Sequence, residues 1–241
     1  KQLGTAFIPI GFGLTFLGML LWEGLPGLPT LTLADWLIAN GIAIIILWLS
    51  RSLLQRQNGT IAALYTQASD NWAIGLSVLE LVMLTSQSMA GYSGFISADI
   101  KSLAASILIG FALVYRCWRQ PNDIVVYSLT WAVEIVVAQA ILLANGKILD
   151  LAIANIILGL ITLFVSEAWA IRYRRAIPLI SVEMLPLFYG FFALILRIGY
   201  FTNWTGLLTL GAALIGIGVG RRRAEGKSLT YLSLAGITIA W

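Results

Sequence analysis

Histidine is absent from the 241 residues, and cysteine occurs once, at Cys117. Without histidine the chain has neither the commonest metal ligand nor the usual general base near neutral pH, and one cysteine cannot build a disulfide framework or a cysteine-rich zinc site. Charge is scarce as well. Only 11% of the residues are charged, against about 25% in an ordinary soluble domain. A water-soluble globule is excluded. The sequence also lacks a glycine-rich phosphate loop and a nucleophile elbow, so it offers no machinery for ATP-driven transport or ordinary hydrolysis. The reading leans away from an enzyme, with an intramembrane carboxylate enzyme as the remaining exception, and it calls for no cofactor and no metal.

What is abundant is apolar. Hydrophobic residues make up 59% of the chain and fall in blocks of roughly 20, the number a helix needs to cross a hydrocarbon core. The expected fold class is all-α, a polytopic transmembrane helical bundle. The blocks predict spans near 3–22, 32–50, 72–93, 101–117, 124–144, 149–171, 178–199 and 204–220, with a truncated ninth from 229. The first block follows only Lys1 and precedes no small-residue cleavage site, so it reads as a span rather than a signal peptide. Residues 1–241 read as a single integral membrane domain and as a piece of a longer chain.

The polar punctuation between blocks alternates in kind. Arginine clusters follow the even-numbered spans: Arg51 and Arg56, then Arg116 and Arg119, then Arg172, Arg174 and Arg175, then Arg221, Arg222, Arg223 and Lys227. The opposite loops carry Lys101 and Lys147 with Glu23, Asp99 and Asp150. The positive-inside rule makes the arginine side cytoplasmic, and the net charge of +4 is then a topology signal rather than a nucleic-acid signal. The expected partners are the lipid bilayer and other membrane subunits or the rest of a longer chain, with no nucleic acid.

The clusters start at 51, 116, 172 and 221, which suggests a repeated helical hairpin. Ile38-Ala39-Asn40 recurs as Ile153-Ala154-Asn155, and the third, fifth and seventh spans hold one glutamate each. Residues 51–71 are expected to form a cytoplasmic loop lying on the membrane surface as an amphipathic segment, with a turn at Asn58-Gly59. Paired helices with short loops resemble small-molecule exporters such as the drug/metabolite transporter superfamily. The likeness is one of organisation, since the hairpin spacing departs from two equal five-helix halves and no motif carries a residue over.

Carboxylates inside spans are the most informative feature, because a charge at mid-bilayer costs at least about 2.5 kcal/mol and is seldom kept without a partner or a hydrated path. Four are expected there: Glu80, Glu134, Glu167 and Glu183. Glu167 and Glu183 lie near the arginine side, where Arg172, Arg174 or Arg175 can pair with them. Glu134 is placed deepest and Glu80 nearly as deep. Helical periodicity puts Ser77, Glu80, Gln87 and Ser88 on one face of the third span, Thr130, Trp131 and Glu134 on one face of the fifth, and Asn155, Gly159, Thr162 and Ser166 on one face of the sixth. Pro186, three residues after Glu183, can break the seventh span.

These stripes support two readings. In the first, the chain is a transport or permeation unit in which Glu80, Glu134, Ser77, Gln87, Thr130, Asn155 and Glu183 form a proton, cation or substrate site. In the second, it is a structural or assembly module of a larger membrane protein, and the same groups only fix helix packing. The Gly216/Gly220 pair and the series Ser102, Ser106, Gly110 are expected to let helices approach closely, and the tryptophans at span ends fit an interfacial belt.

Overall fold

The computed structural model describes residues 2–23, 31–57, 59–173, 180–196, 205–221 and 227–240. Among them it is all helical. In chain order the helices are α1 (Gln2–Glu23), α2 (Leu33–Leu54), α3 (Thr60–Tyr92), α4 (Ile100–Arg119), α5 (Asp123–Leu143), α6 (Ile148–Tyr173), α7 (Ile180–Leu196), α8 (Thr205–Gly220) and α9 (Lys227–Ala240). Six of them, α1 to α6, are long and apolar enough to cross a membrane; α7 and α8 are apolar but shorter.

Local chemistry sets the ends. The Thr32 hydroxyl accepts the Asp35 amide while the Asp35 carboxylate accepts the Thr32 amide, a reciprocal cap that starts α2. Asp99 caps α4 and Asn122 caps α5, each with its side chain accepting an amide of the first turn. After α3, Gly94 turns the chain at φ +76°, a conformation glycine adopts without steric cost.

The expected loop over 51–71 is mostly helix instead. Helix α2 runs on to Leu54, and α3 begins at Thr60 and continues unbroken through Tyr92 as a helix of 33 residues. Polar residues over 65–71 hid the continuation, because a hydropathy window ends at the first polar turn even where that turn is helical and paired.

The chain divides into two compact units, Lys1–Gln120 with Trp131–Gln139, and Pro121–Thr130 with Ala140–Trp241. In the first, Ile44, Trp48, Leu81, Leu84, Ile109 and Leu113 make a fully buried core where α2, α3 and α4 meet. Helix directions alternate within it. The starts of α2 and α4 are joined by the Lys101–Asp35 ion pair at 2.9 Å, and their C-terminal ends meet through Arg51 and Arg116. Helix α3 runs antiparallel to both. In the second unit, Ala152, Ile156, Ala193, Leu208 and Ile215 pack α6, α7 and α8 together.

Close approach follows glycine in part. A Cβ at Gly159 would lie 3.2 Å from the Pro186 carbonyl oxygen, so α6 meets α7 backbone to backbone where Pro186 is fully buried. Gly216 instead makes room for a side chain, that of Ser233 on α9. In α4, Ser102 and Ser106 are buried, but Gly110 has nothing within 4 Å of its Cβ position.

Candidate functional site

Helix α3 carries the chemistry of the first unit. Ser77 and Glu80 lie one turn apart on its buried face, each 1% exposed. One carboxyl oxygen of Glu80 accepts a hydrogen bond from the Asn40 amide of α2 at 3.0 Å, and the same amide also donates to the Leu76 carbonyl at 3.3 Å. The other oxygen, Oε1, has no hydrogen-bond partner among the described residues. It rests against α2 at Gly41, 3.3 Å from the place a Cβ there would occupy, so glycine lets the acid lie against the neighbouring backbone. No lysine or arginine among the described residues pairs with Glu80. A carboxyl group in this setting needs a proton or a cation to neutralise it, since an ionised and unpaired one costs several kcal/mol.

Most of the remaining polar stripe closes on itself. The Ser77 hydroxyl donates to the Ala73 carbonyl one turn back, and Thr85 and Ser88 do the same to Leu81 and Leu84. Thr130, Thr162 and Ser166 repeat the pattern in α5 and α6. A hydroxyl satisfied by its own helix needs no water. Thr85 and Ser88 also accept from α5, from the Trp131 indole and the Gln139 amide at 2.9 Å each, and the Tyr92 hydroxyl donates to the Ala138 carbonyl.

The predicted site residues are thus shared between the units. Ser77, Glu80, Gln87 and Glu134 belong to the first, and Thr130, Asn155 and Glu183 to the second. Glu134 and Gln87 are half-buried, less enclosed than Glu80. Asn155 is fully buried and donates to the Leu151 carbonyl, and its sequence counterpart Asn40 reaches across from α2 to α3. Glu183 is half-buried in the first turn of α7, and Glu167 is exposed. The side chains of Arg172, Arg174, Arg175 and Arg197 lie outside the described residues, and with them the pairings expected for those two acids.

Fifteen ångströms or so along α3 from Glu80, by helix rise, stands a group the sequence reading missed. Asp70 accepts two hydrogen bonds from Arg116 of α4, Nε to Oδ1 at 2.9 Å and Nη2 to Oδ2 at 3.0 Å. The Trp48 indole of α2 donates to the same carboxylate at 3.1 Å, and Arg51 Nε approaches it at 3.5 Å. Three helices are tied at one acid. The signal was available: seven residues back from Ser77 on the same helical face is Asp70.

No protein-family model matches the chain, and neither the curated proteins nor the solved structures compared with it gave a match.

Proposed function

We propose that this chain is an integral membrane domain with a transport or permeation role, in which Glu80 takes up and releases a proton or small cation. The observation that carries the proposal is the half-satisfied carboxyl: buried at 1% exposure, held on one oxygen by Asn40, bare on the other. A group kept only for packing is expected to have both oxygens engaged, because a buried polar atom left unpaired costs about 1–3 kcal/mol. The proposal includes eight crossings, repeated hairpins, arginine-rich ends in the cytoplasm, and a bilayer and neighbouring subunits as partners. Glu134 and Gln87 are its further polar groups in the first unit.

The structural or assembly reading remains the rival. It is favoured by the hydrogen bonds between α3 and residues 131–139 and by the hydroxyls that close on their own helices. One substitution separates the two. Glu80→Gln keeps an oxygen to accept from Asn40 and removes the titrating group. In reconstituted vesicles, proton uptake read by an internal pH dye should be lost in Glu80→Gln while thermal unfolding in detergent stays near the parent. Equal flux in the two proteins rules out Glu80 as the carrier.

A further inference from the structure

The arginine-rich end of the first unit holds more positive charge than its structure uses. Arginines that serve only to orient a membrane protein can remain in water or among headgroups. Arg56 and Arg119 do so, being exposed. Arg51 and Arg116 do not: they are 8% and 4% exposed, at the C-terminal ends of α2 and α4. Both share the single carboxylate of Asp70. Two buried guanidinium groups against one carboxylate leave a unit of positive charge with no counter-charge among the described residues.

The two arginines differ in how they are used. Arg116 is fixed, with two hydrogen bonds to Asp70 and a third from Nη1 to the Gln120 carbonyl at 2.8 Å. Arg51 is held less completely. Its Nη2 donates to the Gln120 side chain, while its buried Nε faces Asp70 Oδ1 at 3.5 Å without making a hydrogen bond. A guanidinium N–H buried without an acceptor is costly, so Arg51 has donor capacity that this end of the unit leaves unused. Beside it lies a cavity of about 160 Å³ bordered by Trp48, Arg51, Arg56, Tyr115, Arg116 and Arg119, with no acidic residue in its lining. A single water needs only about 10–15 Å³. Four arginines thus surround a space large enough for a polyatomic anion. The helix ends contribute carbonyls and not amides here, so side chains must hold the anion.

We propose that this cavity binds a phosphate group, with Arg51 as the primary contact and Arg56 and Arg119 closing over it from the exposed side. The guanidinium fork matches phosphate oxygens in pairs, and a multiply charged tetrahedral anion answers the surplus of three positive charges better than a carboxylate does. A phospholipid headgroup and free phosphate share this chemistry. The site is independent of Glu80.

Thermal unfolding of the full chain in detergent tests both sources. One arm adds inorganic phosphate against potassium chloride at matched ionic strength; the other adds phosphatidylglycerol against phosphatidylcholine in mixed micelles. A midpoint raised by phosphate identifies the free anion, and one raised only by phosphatidylglycerol identifies the headgroup. In either case Arg51→Gln should weaken the apparent affinity about tenfold or more, the scale of one charge-assisted contact. Should that variant fail to fold, the Arg56→Gln/Arg119→Gln double variant, which leaves the buried pair intact, should show the same weakening. The proposal is overturned if neither ligand moves the midpoint beyond its control, or if the shift survives undiminished in these variants.

Discussion

Asp70 and Asp35 show how differently two ion-paired acids act. Asp35 meets Lys101 at the exposed end of α2, where water competes for both partners. Asp70 meets Arg51 and Arg116 in a site closed by Trp48, where their burial depends on its charge. Asp70→Asn keeps the shape and strands two buried guanidinium groups, so it should cost about 3 kcal/mol or more. Asp35→Asn should leave the unfolding midpoint nearly unmoved. Paired unfolding curves in detergent decide this, and equal losses would mean the Asp70 cluster is hydrated. The sequence made Glu80 visible, since an acid inside an apolar block cannot be overlooked. It hid Asp70, because an acid near a block's edge looks like an ordinary loop residue until its partners on α2 and α4 are seen. Asn40 was hidden for the same reason: its value lies in reaching Glu80 across a helix pair.

At the scale of the helix, apolar runs located the nine helices among the described residues to within a few residues, apart from the join between α2 and α3. That accuracy has a simple cause. In a bilayer every backbone group must be satisfied within its own segment, so length and hydropathy alone nearly define a helix. Packing was less legible, because it depends on what stands opposite. The small residues of α4 and α6 look alike in sequence, yet Gly159 is pressed against Pro186 and Ile215 while Gly110 faces open space. Gly159→Ala should therefore force α6 from α7 and cost about 1–3 kcal/mol, as overpacking does. Gly110→Ala should be neutral or slightly stabilising through its better helix propensity. Comparison of the two variants' unfolding midpoints tests this, and a Gly159→Ala protein as stable as the parent would show that the contact yields.

At the scale of the whole chain, side-specific labelling counts the crossings. In the first unit the ends of α2 and α4 that carry Arg51 and Arg116 lie together, opposite Asp35 and Lys101, as alternating crossings require. Cysteine probes at positions 56 and 119, with Cys117 replaced, should thus label from one side and a probe at 99 from the other. Positions 175 and 223 are expected on the side of 56 and 119. Those two cannot by themselves establish eight crossings, however. Over the described residues α7 and α8 have 17 and 16 residues and are about 25 Å long, short of a hydrocarbon core of about 30 Å. If α7 and α8 entered and returned as a re-entrant pair without crossing, 175 and 223 would still share a side. The residues between the two helices discriminate. With eight crossings a cysteine at Thr202 should react with an impermeant maleimide added from the side opposite 56. A re-entrant pair would leave that position unreactive from the opposite face while 175 and 223 label as before, and that result would reduce the crossings to the six that α1 to α6 can make.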